Sequence, residues 1–280
     1  MITGTSSGLG AALAERVHRE LGAEVLRVDR HPPRVGPGQR VVEADLATNA
    51  GMEVAREALR EWRPQVLVNN AAVMHGAPLV DTPDARVEEI LRVGYHTPVE
   101  LMNEMARLSR ERDEDTWVVN IVSPYRQIGV RNQSLYCVAK IGLSRAGESV
   151  AIESSPEQRL TVVSVSPGVF DTPMRPSQST DAWLVRTFKT RVARTPEEFA
   201  RVVLARLGRG TVRPHWTMRL GWDGPAFEAT VRVFSSDWFV VALDRLIGNP
   251  PAPPHLISPP APSERKAVST DGESAVEPSR

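Results

Sequence analysis

The stretch that most restricts this chain is Thr3-Gly4-Thr5-Ser6-Ser7-Gly8-Leu9-Gly10, which runs straight into a helical pattern over residues 11–21. Glycines let a backbone turn tightly and come close to a pyrophosphate, and the helix start behind them offers free N–H groups and a partial positive charge. Ser6 and Ser7 add hydroxyl donors. A loop like this on its own also suits a plain helix-capping turn. Asp29 narrows the choice: it ends the next apolar run, at the distance where a carboxylate can bond the hydroxyls of a ribose. That favours NAD, because a 2′-phosphate would meet a negative charge. Arg30 keeps NADP open, since its guanidinium can pair with such a phosphate or stack on adenine.

The rest of the chain alternates in the same way. Residues 25–28, 66–68, 117–122 and 160–165 are short apolar runs rich in β-branched residues. Between them, segments such as 11–21 and 87–108 carry apolar residues at helical spacing. Strands alternating with helices predict βαβ units and a parallel sheet, and nearly continuous apolar strands predict helices on both faces. The predicted fold is therefore α/β, a Rossmann-like doubly wound parallel sheet in a single domain over 1–248. Only residues 1–3 precede the glycine loop, so the first strand is either a stub or the end of a longer one. From residue 249 a Pro- and Ser-rich composition with few apolar residues predicts a disordered tail over 249–280.

Composition excludes several classes of partner. The 280 residues hold 34 Lys+Arg and 34 Asp+Glu, so nothing pulls the whole chain toward nucleic acid or an anionic membrane. No apolar run approaches the length of about 18 residues that a membrane helix needs. The N-terminus has neither the basic head nor the apolar stretch of a signal peptide. One cysteine, Cys137, permits no intrachain disulfide, and the six histidines are scattered, so no metal site is expected. A soluble cytoplasmic protein is the expectation.

Tyr136 and Lys140 stand four residues apart in a helical stretch and so share a face, and Ser123 ends the strand over 117–122. Reduction of a ketone needs a proton donor at the carbonyl oxygen while hydride arrives at carbon. A free phenol with a pKa of about 10 is too weak a base for the reverse reaction at neutral pH. A neighbouring ammonium is expected to lower it. The Ser123 hydroxyl can hold the substrate oxygen. A Tyr-x-x-x-Lys pair is common on ordinary amphipathic helices, and it gains meaning here from the loop, Asp29 and Ser123 in order.

Together these residues resemble the ordinary, single-domain branch of the short-chain dehydrogenase/reductase family, over about residues 1–205. Thr3 to Gly10 looks like its cofactor loop, with Gly4, Ser6, Ser7, Gly8, Leu9 and Gly10 as the binding positions. Asp45-Leu46 is similar to its adenine-contacting pair, and Asn69-Asn70-Ala71-Ala72 to its Asn-Asn-Ala-Gly element, with Ala72 in place of glycine. Ser123, Tyr136 and Lys140 match its catalytic serine, tyrosine and lysine, and the match implies that Lys140 also bonds the nicotinamide ribose. Pro167, Gly168, Val169 and Thr172 match the segment that orients the nicotinamide carboxamide.

What the resemblance implies is an NAD- or NADP-dependent oxidoreductase acting on a small alcohol or ketone. It also implies a substrate lid over about 172–195 and a homodimer or homotetramer formed through the helix that begins near Tyr136. One position departs: Gly94 stands where the family usually has an asparagine whose backbone carbonyl serves a proton relay and whose side chain supports a local helix distortion. Glycine keeps the carbonyl and tolerates distortion, so a retained relay is expected. The competing reading is a dinucleotide-binding regulatory or scaffold protein that has lost turnover.

Overall fold

A computed structural model describes residues 1–123, 129, 132–154, 158–167, 195–207 and 215–219. Its centre is one seven-stranded sheet, ordered β3-β2-β1-β4-β5-β6-β7 and parallel throughout. The strands are β1 (Ile2–Thr3), β2 (Val25–Asp29), β3 (Gln39–Glu43), β4 (Val66–Asn69), β5 (Thr116–Ile121), β6 (Leu160–Ser166) and β7 (His215–Arg219). The helices are α1 (Gly8–Leu21), α2 (Asn49–Trp62), α3 (Asp84–Leu91), α4 (Thr97–Ser109), α5 (Ser134–Glu153) and α6 (Pro196–Leu207). This is the doubly wound parallel sheet predicted, and the four strands read from the sequence all appear, each within a residue at its ends.

Side chains alternate across each strand, so one strand feeds two cores. Leu26, Val28, Val118 and Val162 pack with Leu59, Leu101, Met102 and Met105 of α2 and α4. Their neighbours Val25, Val119, Val163 and Val165 point the other way, onto Leu9 and Leu13 of α1 and Ala200 and Val203 of α6. That two-sided burial is why the strands carry so few polar residues. Two of the buried exceptions, Asn69 and Asn120, are joined: Asn69 Nδ2 donates to Asn120 Oδ1 at 2.9 Å and to the Pro98 carbonyl at 3.2 Å, while Asn69 Oδ1 has no hydrogen-bond partner. They tie β4 and β5 to the start of α4.

Two strands carry no legible signature in the sequence. Strand β3 is an edge strand whose residues are half-buried or exposed, so it lacks the apolar signature of its neighbours. Strand β7 lies within the region 206–248 for which the sequence offered no pattern. The predicted helix over 87–108 is not one helix. It is α3 and α4 joined by a π-helical turn, Arg92–His96, in which the Thr97 N–H bonds the Arg92 carbonyl five residues back. Pro98 explains the break: it has no N–H to give the Gly94 carbonyl four residues earlier, and its ring crowds that carbonyl. The tail over 249–280 and the lid over 172–194 lie outside the described residues.

The carboxyl ends of β1, β2, β4, β5 and β6 all lie on one edge of the sheet, because the sheet is parallel. The strand order reverses between β1 and β4. In such sheets that reversal opens a crevice on the carboxyl edge.

Candidate active site

At one side of the crevice lies the glycine loop. Gly4 has φ +71°, a left-handed backbone, and a Cβ there would stand 2.7 Å from the Ala71 Cα. A Cβ on Gly10 would stand 2.0 Å from the Gly4 carbonyl oxygen. Both glycines are thus required by the loop's packing on itself and on the end of β4, a purpose separate from the approach to a pyrophosphate. Asn70 completes the weld, donating from Nδ2 to the carbonyls of Thr3 and Gly4, both at 2.9 Å. The Thr3 hydroxyl accepts from the Asn70 and Ala71 amides at 3.0 and 3.1 Å. Thr3, at the start of the loop, thereby joins β1 to β4.

The first turn of α1 is left open. Ser7 at its N-cap makes no side-chain capping bond, and no acidic residue lies in the turn. Ser6 and Ser7 are exposed and Leu9 is buried in the α1 core, so the groups this position offers to a ligand are backbone N–H groups and hydroxyls. The Thr5 hydroxyl is buried among the loop residues without a hydrogen-bond partner. Free helix amides beside an orphaned hydroxyl fit the phosphates of a dinucleotide.

Asp29 is buried at the end of β2, and both of its oxygens are in use: Oδ2 accepts from the Ser6 amide at 2.9 Å and Oδ1 from the His31 amide at 3.0 Å. The carboxylate therefore pins the glycine loop to β2 and keeps spare lone pairs for a ribose. Arg30 is exposed and reaches Glu89 of α3 at 3.5 Å. Asp45 is exposed and caps its own turn through the Ala47 amide at 3.0 Å. Leu46 is buried, and its carbonyl accepts from the Thr97 hydroxyl at 2.9 Å. Ala71 and Ala72 are half-buried after β4. Pro167 is buried after β6, while Gly168, Val169 and Thr172 lie outside the described residues.

At the other side of the crevice the predicted triad converges. Ser123, just past β5, is hydrogen-bonded to the Tyr136 phenol on the first turn of α5. One turn on, the Lys140 Nζ lies 5.6 Å from the centre of the Tyr136 ring and donates to the Ile121 carbonyl at 2.8 Å. The lysine is almost fully enclosed, at 2% exposure. The electrostatics differ from expectation. Burial pushes the phenol up to about 12, with the Ser123 bond pulling it down. Burial likewise pulls the ammonium down to about 8. The expected lowering of the phenol by Lys140 is not what prevails, because desolvation of Tyr136 outweighs every opposing contribution.

Gly94 sits in the π-turn and faces α5: a Cβ there would stand 2.9 Å from the Cβ of Ala139, the residue before Lys140. Helix α5 is held close to the turn because residue 94 has no side chain. Tyr95 packs its ring against Gly142 of α5, so it belongs to the same helix contact, and His96 is exposed. The signal that could have found this arrangement is Pro98 in mid-helix.

Strand order and the two-sided core define a doubly wound α/β protein of the Rossmann type, with its candidate site at the carboxyl edge. The chain belongs to the short chain dehydrogenase family, whose model matches residues 1–183. It is 30% identical over 181 residues to L-xylulose reductase of Bos taurus, covering 62% of this chain and 72% of that protein. It is 26% identical over 180 residues to galactitol 2-dehydrogenase of Agrobacterium fabrum, covering 61% of this chain and 70% of that one. Among solved structures, 4-hydroxyisoleucine dehydrogenase complexed with NADH superposes with a TM-score of 0.69 at 21% identity, over 79% of this chain and 97% of that one. That likeness concerns the fold. Among the described residues, no helix is long and apolar enough to cross a membrane.

Proposed function

We propose that this protein is an oxidoreductase that moves a hydride between a nicotinamide dinucleotide and the carbinol or carbonyl carbon of a small alcohol or ketone. The observation that carries the reading is the Ser123–Tyr136 hydrogen bond with the Lys140 ammonium one helical turn away, set across the crevice from an open helix N-terminus. Family membership and relatives named as a reductase and a dehydrogenase of sugar-like compounds support it. The dinucleotide supplies or accepts the hydride when bound.

The residues of the chain do the rest. Backbone amides at the start of α1, with Ser6 and Ser7, hold the phosphates. Asp29 holds the adenosine ribose, Asp45 and Leu46 line the adenine side, and Asn70, Ala71 and Ala72 lie beside the cofactor. Ser123 steadies the substrate oxygen, and the neutral phenol of Tyr136 donates its proton there as the carbonyl is reduced. The Lys140 ammonium stabilises the phenolate that forms, and its remaining N–H groups reach the nicotinamide ribose. Pro167, Gly168, Val169 and Thr172 orient the carboxamide, and residues 172–195 cover the substrate. The exposed apolar row Val138, Ile141 and Ile152 on α5 fits a homodimer or a homotetramer built on that helix.

The test is titration of the purified protein with NADH and NADPH, followed by turnover on a panel of ketones and alcohols beside Tyr136→Phe. We expect dinucleotide binding in both proteins and a turnover about a thousandfold lower in the variant, in line with the loss of a positioned proton donor. Binding without turnover on any substrate would favour the regulatory reading instead.

A further inference from the structure

The adenosine end of the crevice contains a residue that the motifs do not include. Glu89 lies on α3, opposite the end of β2, and its carboxylate holds two arginines: Arg30 at 3.5 Å and Arg86, one turn earlier on the same helix. Glu89 is mostly enclosed, at 18% side-chain exposure, whereas Arg30 is 55% exposed. Arg30 is therefore the solvent-facing partner, and Glu89 is the enclosed one.

We propose that Glu89 decides which dinucleotide the site accepts, by neutralising Arg30 and so selecting NAD(H) over NADP(H). The inference rests on the dinucleotide-binding reading given above. NADP differs from NAD by one phosphate on the 2′-oxygen of the adenosine ribose, the group that the end of β2 faces. That phosphate carries close to two negative charges and needs an unshared guanidinium beside it. Arg30 is the cation at that end, following Asp29 directly in the chain. Here its guanidinium is paired with Glu89, while the Asp29 oxygens are bonded to the Ser6 and His31 amides. Arg30 can reach a 2′-phosphate only by giving up Glu89, so that carboxylate, also paired with Arg86, withholds the guanidinium that the phosphate needs. The discrimination therefore runs through Arg30.

The experiment is a fluorescence titration of the full-length protein with NADH and with NADPH, for wild type, Glu89→Gln, Arg30→Gln and the double variant. Wild type binds NADH more tightly. Glu89→Gln tightens NADPH by about tenfold and leaves NADH within about twofold, a change worth one hydrogen-bonded charge. Adding Arg30→Gln removes that gain, while Arg30→Gln alone costs little NADPH affinity, because in wild type the arginine is already neutralised. The proposal is overturned if wild type prefers NADPH, if Glu89→Gln moves both dinucleotides alike, or if the gain survives in the double variant. Failure of wild type to bind either dinucleotide overturns the underlying reading as well, so the two failures are told apart by the wild-type curves alone.

Discussion

Lys140 is placed at a cost to the fold. Its ammonium is enclosed beside Tyr136 with the Ile121 carbonyl as its hydrogen-bond partner, and burial holds its pKa near 8 against an ordinary 10.5. A lysine with a depressed folded pKa contributes stability that is present above its unfolded pKa and is lost as pH falls through the folded one. Between pH 7 and 9.5 the wild type should therefore gain about 2 kcal/mol of unfolding free energy relative to Lys140→Met, read from urea melts of both proteins at each pH. Parallel curves would show that the ammonium is not desolvated. Tyr136 has the opposite sign: its raised pKa favours folding below pH 10, and that contribution fades as pH rises through about 12. Around neutrality the phenol is therefore a proton donor, ready for carbonyl reduction. The spacing of Tyr136 and Lys140 announced the pair, but whether ammonium or desolvation would dominate the phenol depended on burial, which spacing does not encode.

At the scale of elements, the π-turn between α3 and α4 is what seats α5. Pro98 withholds the helical hydrogen bond from the Gly94 carbonyl, and Gly94 leaves room for Ala139. Adding a methyl group at residue 94 should cost about 1 to 2 kcal/mol, the overpacking penalty less the better helix propensity of alanine. Gly94→Ala in urea denaturation tests this. Gly94→Asn, which restores the residue usual in the family, should lower turnover instead of raising it, because its side chain displaces the helix that carries Tyr136 and Lys140. A large rise in turnover with Asn would show that the native turn is a crippled relay. The glycine was visible in the sequence as a departure from a motif. The reason it is tolerated was not, since Ala139 is remote from it in the chain.

For the whole molecule, the row on α5 is one apolar surface, among the described residues, that a single chain leaves exposed. Val138 is 57% exposed and Ile152 is 82% exposed on the helix that bears the site. If a second copy covers this face, Val138→Glu with Ile152→Glu should convert the wild-type assembly to monomer in sedimentation velocity runs, by placing charge in an apolar contact. Unchanged sedimentation would move the interface elsewhere.

The sequence by itself determined the class of fold and named the members of the candidate site. Alternating apolar strands and amphipathic helices admit little besides a parallel sheet covered on both faces, and Gly4 to Gly10, Asp29, Ser123, Tyr136 and Lys140 are local patterns whose chemistry shows in their order. What only the tertiary structure decided depends on residues far apart in the chain. Strand β3 pairs at an edge, where one-sided burial erases the apolar signature. Gly10 is held to glycine by the carbonyl of Gly4, Asn69 donates to Asn120, and Asp29 spends both oxygens on the Ser6 and His31 amides. Glu89 meets Arg30 across 59 positions of sequence. Local sequence sets backbone preference and periodicity, but charge neutralisation and desolvation are set by whatever the fold brings alongside, and those decide the electrostatics of this site.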